Sequence, residues 1–164
     1  MFVPVLSRNA SRSALYADLV AQARALFEGE RDQTANAANL AALIFDALPD
    51  LNWAGFYWMK DGVLVLGPFQ GKPACVRIAI GKGVCGTAAR ERRTLIVPNV
   101  NEFPGHIACD AASQSEIVVP VMRGNRVLGV LDVDSPKLAR FDAEDAGALE
   151  ALVSLFVQAT DLGD

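Results

Sequence analysis

Between Ser11 and Phe27 the apolar residues Leu15, Leu19, Val20, Ala23 and Leu26 recur at steps of three and four, the spacing of one face of an α-helix. A second stripe, Leu40, Leu43, Ile44 and Leu48, predicts a helix over about Thr34 to Leu48 that stops at Pro49. The period then changes. NWAGFYWMK (Asn52 to Lys60) is aromatic-rich and reads as a strand, and Asp61-Gly62 is a two-residue hairpin turn into VLVLGPF. ACVRIAI alternates as a strand, GVCGTAARER reads as a short helix and TLIVPNV as another strand. EIVVPVM and VLGVLDVDS, joined through Arg123-Gly124-Asn125-Arg126, form the last pair, and a helix from about Asp142 to Ala159 closes the chain with Asp142 as N-cap.

Helix, helix, a mostly antiparallel sheet of five or six strands, then helix is an α+β order, with the helices expected on one face of the sheet. Residues 1–164 read as a single domain, with 52% hydrophobic against 21% charged residues, enough apolar material for a core. The longest apolar runs, GVLVLG and IVVPVM, fall far short of the ~20 residues that cross a bilayer, so no membrane association is expected. MFVPVLSRNAS lacks the basic start and long apolar stretch of a secretory signal, which makes the expected location cytoplasmic. A net charge of −4, with basic residues scattered apart from Arg90, Arg92 and Arg93, argues against a nucleic-acid partner. Three cysteines are an odd count for a disulfide scaffold and point instead to thiol chemistry, metal binding or packing.

The element order together with GVCGTAARER and VLGVLDVDS resembles a GAF domain, a small-molecule pocket module. More narrowly, LGPFQGKPACVRIAIGKGVCGTA, VNEFPGHIACDAASQSEIVVPV and GVLDVDS resemble the free methionine-(R)-sulfoxide reductases, over nearly all of Asn52 to Ser135. The resemblance implies reduction of free methionine sulfoxide, thioredoxin as the restoring partner, and a homodimer through the terminal helices. It implies neither a cofactor nor a metal. By motif position Cys109 would attack, Cys75 would resolve, and Cys85 matches a further family cysteine. Glu116, Asp132 and Asp134 would be the acids around the sulfoxide, with Trp53 and Tyr57 forming part of the pocket.

The chemistry asks for the same residue types. A thiolate must attack sulfur while an acid protonates the oxygen, and the resulting sulfenic acid must be closed by a second thiol to a disulfide that a reductant then opens. Cys109 lies among the small residues Gly105, Ala108, Ala111, Ala112 and Ser113, which give access. Asp110 beside it disfavours a thiolate, so His106, an arginine or a helix N-terminus is expected to compensate. In an alternating strand Cys75 shares a face with Arg77 and Ala79, opposite the apolar Ala74, Val76, Ile78 and Ile80; it is a resolving thiol or a small packing residue. Cys85, at a helix start where backbone N–H groups favour a thiolate, is an alternative resolver, a relay or a helix-start residue. Trp53, Gly55 and Tyr57 share one strand face, suited to a thioether.

Leu128, Val130, Asp132 and Asp134 fall on one face of a strand, so two carboxylates extend an apolar row and crowd one another. Glu116 fits this cluster only conditionally. A regular Gly124-Asn125 turn would set it opposite Val133, and a three-residue loop or a bulge near Pro120 is needed to restore the shared face. Three other readings compete. They are a sensory GAF module without chemistry, a zinc site from Cys75, Cys85, Cys109 and His106, whose spacings lack the short pairs of such sites, and a cysteine hydrolase using Cys109 and His106.

Overall fold

A computed structural model describes residues 11–105 and 110–163. Its elements are α1 (Arg12–Phe27), α2 (Gln33–Ala47), β1 (Trp53–Lys60), β2 (Val63–Gly71), β3 (Arg77–Ala79), α3 (Gly83–Glu91), β4 (Leu95–Val97), β5 (Ser115–Arg123), β6 (Arg126–Ser135) and α4 (Ala143–Ala159). The six strands form one sheet in the order β3-β2-β1-β6-β5-β4, every neighbouring pair antiparallel. The α+β reading and the N- and C-terminal helices on one face hold.

Alternation along the strands builds two cores. On one side Ala54, Phe56, Trp58, Ile117, Val119, Val121, Leu131 and Val133 pack against α1, α2 and α4. On the other side Trp53, Tyr57, Val118 and Val130 meet Val84, Cys85, Ala88 and Ala89 of α3. The short helix therefore covers the face opposite the other three, because its apolar residues sit three and four apart and can fill only one side of a sheet.

The helix ends follow their local chemistry. Asp32 and Ser11 accept hydrogen bonds from the backbone of Ala35 and Ala14, and Asp142 forms a capping box with Asp145. Asp145 is fully enclosed and binds Tyr16, Arg12 and Arg140, which ties α1, α4 and the segment before α4 together. At the β1–β2 turn Asp61 and Gly62 both have positive φ, 49° and 79°, the twist a two-residue hairpin requires.

The β5–β6 hairpin decides where the acids point. Arg123 pairs with Arg126 and Met122 with Val127, as a two-residue turn demands, but Val121 then pairs with Gly129, leaving Leu128 as an extra residue in β6. This bulge lies one residue from Pro120. It sets Glu116 opposite Asp134, the alignment that the sequence allowed only with such an irregularity. It also turns Leu128 over: Leu128 packs on the α1/α2/α4 side and Val127 on the other, so the expected row is Val130, Asp132 and Asp134 without Leu128.

The ACVRIAI strand shrinks to three residues. Cys75 precedes β3 in a loop, Ala74 and Cys75 both lean on the α3-side core, and of the supposed apolar face Ile78 alone is buried, Val76 being 62% exposed. β3 is the last strand at its edge of the sheet, so no neighbour extends its ladder and the two-residue alternation ends with it.

Two glycines report on this packing. A Cβ on Gly129 would stand 2.2 Å from the Tyr57 carbonyl oxygen and 2.7 Å from Trp58 Cε3, whereas one on Gly147 in α4 meets nothing within 4 Å. Gly129→Ala is expected to destabilise by about 2 kcal/mol or more through overpacking, and Gly147→Ala to stabilise by about 0.5–1 kcal/mol through helix propensity. Urea unfolding midpoints of the two variants check both signs.

Candidate active site

The ends of three adjacent strands converge on one cleft. Trp53 opens β1 opposite Asp134 of β6, Asp132 pairs with Gly55, and Glu116 near the start of β5 pairs with Asp134 on the other side. The N-terminus of α3 supplies Gly83, Val84 and Cys85 as the facing wall, and segments around Pro73–Ala74 and Asp110–Ser113 form the rim. The cleft encloses about 550 Å³ including its open mouth. All five residues expected to bind substrate line it: Glu116, Asp132, Asp134, Trp53 and Tyr57.

The aromatic wall also holds the rim. Trp53 stacks on Tyr57 at 5.9 Å and on Phe69 at 5.3 Å between ring centroids, and its Nε1 donates to the Lys72 carbonyl at 3.1 Å. The Tyr57 hydroxyl donates to the Cys75 carbonyl at 3.0 Å. One strand face thus fixes the segment that carries Cys75, and Gly55 between the two rings is required because a Cβ there would lie 2.3 Å from that of Phe69.

Burial dominates the electrostatics. It raises the Glu116 carboxyl well above the ordinary carboxylate range, with the charges of Asp132 and Asp134 adding to it. Asp134 is raised well above its usual value by burial, then by Asp132 and Asp110. Burial lifts Asp132 to about 6, held down from further rise by hydrogen bonds with Cys85 and Glu116. The Asp132 charge opposes ionisation of both its neighbours. Its Oδ1 is enclosed without a hydrogen-bond partner among the described residues.

The cysteines separate by environment. Cys75 is half-buried and disulfide-bonded. Cys85 is a free thiol, 4% exposed, whose Sγ lies 3.8 Å from Glu116 Oε1. Burial, then the charges of Asp132 and Glu116, push its pKa well up. The expectation that helix N–H groups favour a thiolate there is therefore corrected: desolvation and two nearby carboxylates outweigh the helix terminus. Cys109 and His106 lie outside the described residues.

Residues that brace the cleft rim from behind, Asn52 and Lys72, and Lys82 on its wall carry little signal of this in the sequence. Asn52 Nδ2 donates to Asp110 Oδ2 at 3.2 Å and to Ser113 Oγ at 2.9 Å, while its backbone N–H donates to the Asp134 carbonyl at 3.1 Å. It clamps the segment after Cys109 to the acidic end of β6. Lys72 Nζ stands 3.6 Å from Asp110 Oδ2, so a lysine meets the Asp110 charge, a residue not among the expected compensators. The Ala112 N–H, Asn52 and Lys72 together hold the Asp110 carboxyl below its usual range, the Ala112 amide contributing most. Lys82 stands on the wall ahead of α3. The available signals were weak: Asn52 reads as the first residue of the aromatic strand but stands just ahead of β1, and Lys72 falls between Gly71 and Pro73, where no local pattern assigns a role.

With the geometry in place, comparison with known proteins agrees with it. A GAF-domain family model matches residues 34–161. The free methionine-R-sulfoxide reductase of Escherichia coli is 51% identical over 144 residues, covering 88% of this chain and 87% of that protein. The Saccharomyces cerevisiae protein of the same name is 43% identical over 157 residues, covering 91% of this chain and 87% of its own. The X-ray structure of the free methionine-R-sulfoxide reductase from Neisseria meningitidis in complex with its substrate superimposes with a TM-score of 0.90 at 42% identity, over 96% of this chain and 95% of that one. A matching fold, nearly full-length coverage and a cleft that sets the Cys85 thiol against buried acids lead to one assignment: the chain belongs to the GAF-domain family and, within it, to the free methionine-R-sulfoxide reductases.

Proposed function

We propose that the protein reduces free methionine-(R)-sulfoxide to methionine, with Cys109 as the attacking thiol, Cys75 as the resolving thiol and thioredoxin as the reductant. The observation that carries this reading is a cleft in which burial raises the Glu116 and Asp134 carboxyls well above the ordinary carboxylate range, beside the segment that carries the disulfide-bonded Cys75. A module that only bound a metabolite has no use for such an acid.

The steps balance without a cofactor or metal. The Cys109 thiolate attacks the sulfoxide sulfur as a cleft carboxyl protonates the oxygen. The oxygen passes to Cys109 as a sulfenic acid and methionine leaves. The Cys75 thiol attacks that sulfenic sulfur, expelling water and closing a disulfide, which the dithiol of thioredoxin opens by exchange. Trp53 and Tyr57 hold the methyl-thioether end, where sulfur–aromatic contacts are favourable. Cys85, kept as a thiol, acts as a proton-bearing neighbour of Glu116 and not as a nucleophile. Residues 1–164 act as one domain, as a homodimer joined through the terminal helices, in the cytoplasm. Among the described residues no helix is long and apolar enough to cross a membrane.

Thioredoxin-coupled turnover of the two sulfoxide epimers tests the assignment. Cys109→Ser is expected to abolish turnover of the R epimer, while Cys75→Ser loses steady-state turnover but keeps one turnover per chain. Cycling that survives Cys109→Ser removes Cys109 as the attacking thiol, and binding retained with no reduction by the wild type supports the sensory module instead.

The acids give a signed pH dependence. The rate of sulfoxide reduction is expected to fall on the alkaline side as the raised carboxyls lose their protons. Glu116→Gln, which can hydrogen-bond but not transfer a proton, should lower the single-turnover rate by about 100-fold or more. A pre-steady-state rate profile from pH 5 to 9 measures both.

Stability follows the same protons. The Asp132 carboxyl is raised from 3.8 to about 6 on folding, so the stability linked to its proton is fully present below about pH 4 and lost as pH rises through 6. Asp132→Asn, which carries no charge to bury, is therefore expected to raise Tm by several degrees at pH 8 and by less at pH 4. Calorimetry at the two pH values makes the comparison.

A further inference from the structure

We propose that the cleft is also a binding site for a borderline-soft divalent cation of the zinc type, held by Cys85, Glu116 and Asp132, and that its occupancy shuts off sulfoxide reduction. The inhibitory half rests on the reductase reading above; the binding half does not.

One ligand atom from each of the three residues lies within 4.8 Å of the other two, all three side chains being buried. The Cys85 Sγ to Glu116 Oε1 separation is 3.8 Å. Sulfur and oxygen ligands on a tetrahedral zinc, at bond lengths of about 2.3 and 2.0 Å, stand about 3.5 Å apart. That edge of the tetrahedron is nearly formed already. The donors come from α3, β5 and β6, elements packed on one another, so little ordering remains when an ion enters.

A second observation points to a cation independently of the cluster. Asp132 is 7% exposed, lines the cleft, and its Oδ1 has no hydrogen-bond partner among the described residues. A buried carboxylate oxygen without a donor is costly, and a cation in the cleft satisfies it. The donor set then selects the ion. One sulfur and two carboxylates are too few and too soft for Mg²⁺ or Ca²⁺, which take six or more oxygens, and suit Zn²⁺ or Co²⁺ with a fourth position open to the cleft. On binding, the Cys85 thiol proton and any proton on the two carboxyls leave to solvent, with no change of oxidation state. The ion and the sulfoxide oxygen then compete for the same two carboxyls.

Anaerobic Co²⁺ titration of the full chain carrying Cys75→Ser and Cys109→Ser isolates the site, because Cys85 is then the one remaining thiol. The expected result is one Co²⁺ per chain with thiolate-to-cobalt charge-transfer absorption and intense tetrahedral d–d bands. Adding Cys85→Ser should remove the charge-transfer band, and adding Asp132→Asn should weaken binding at least about tenfold. No charge-transfer band in the double-serine chain overturns the site, with no need for the further variants to fold. Methionine sulfoxide added to the cobalt-loaded chain is expected to bleach the bands. Bands that persist under saturating sulfoxide overturn the inhibitory half, and a metal-free wild type that does not reduce sulfoxide overturns the reductase reading while leaving the site standing.

Discussion

Crowding the buried Glu116 and Asp132, the half-buried Asp134 and a buried thiol at the end of one sheet is the constraint on which the cleft depends. Charge removed from water is destabilising, and Glu116, Asp132 and Asp134 are close enough that ionising one opposes ionising the next. The consequence is that all three carboxyls bind protons more tightly than ordinary carboxylates do. A protonated carboxyl is also what a sulfoxide oxygen needs as it accepts electron density, so in the proposed reaction the feature that costs stability is the one that supplies the proton. The rest of the fold serves that arrangement: α3 closes the wall, the aromatic face of β1 holds the Cys75 segment, and Asn52 ties the rim to β6.

Much of the architecture was legible because it rests on local periodicity. The stripes of α1 and α2, the aromatic alternation of β1 and the apolar runs of β5 and β6 each had a long pattern to express, and α4 declared its start by the N-cap Asp142. β3 was misjudged for the opposite reason. Alternation in seven residues is meaningful only where a ladder exists to enforce it, and at the sheet edge three residues pair while Val76 faces solvent. The bulge after the Gly124-Asn125 turn is a different case. No local pattern declares it, yet requiring three acids to share a face predicted an irregularity near Pro120, and Leu128 is the extra residue.

The site was legible where its residues lie on regular strands. Glu116, Asp132, Asp134, Trp53 and Tyr57 could be placed by face, and all line the cleft. Cys85 shows where the reasoning stops: a helix start favours a thiolate, but its tertiary surroundings, full burial against two carboxyls, were invisible in the local sequence and reverse the sign. Asn52 and Lys72 act across loops distant in the chain, which periodicity cannot reach.

The central claim is that burial keeps at least one cleft carboxyl protonated at neutral pH. Carbon-13 NMR titration of side-chain carboxyls in uniformly labelled protein, with Glu116→Gln and Asp134→Asn used for assignment, measures this directly. The account predicts carboxyl carbons from the cleft that are still in the protonated form at pH 7 and that vanish from the spectra of the corresponding variants. Titration of every aspartate and glutamate to completion below about pH 5, the range of ordinary carboxylates, would contradict it.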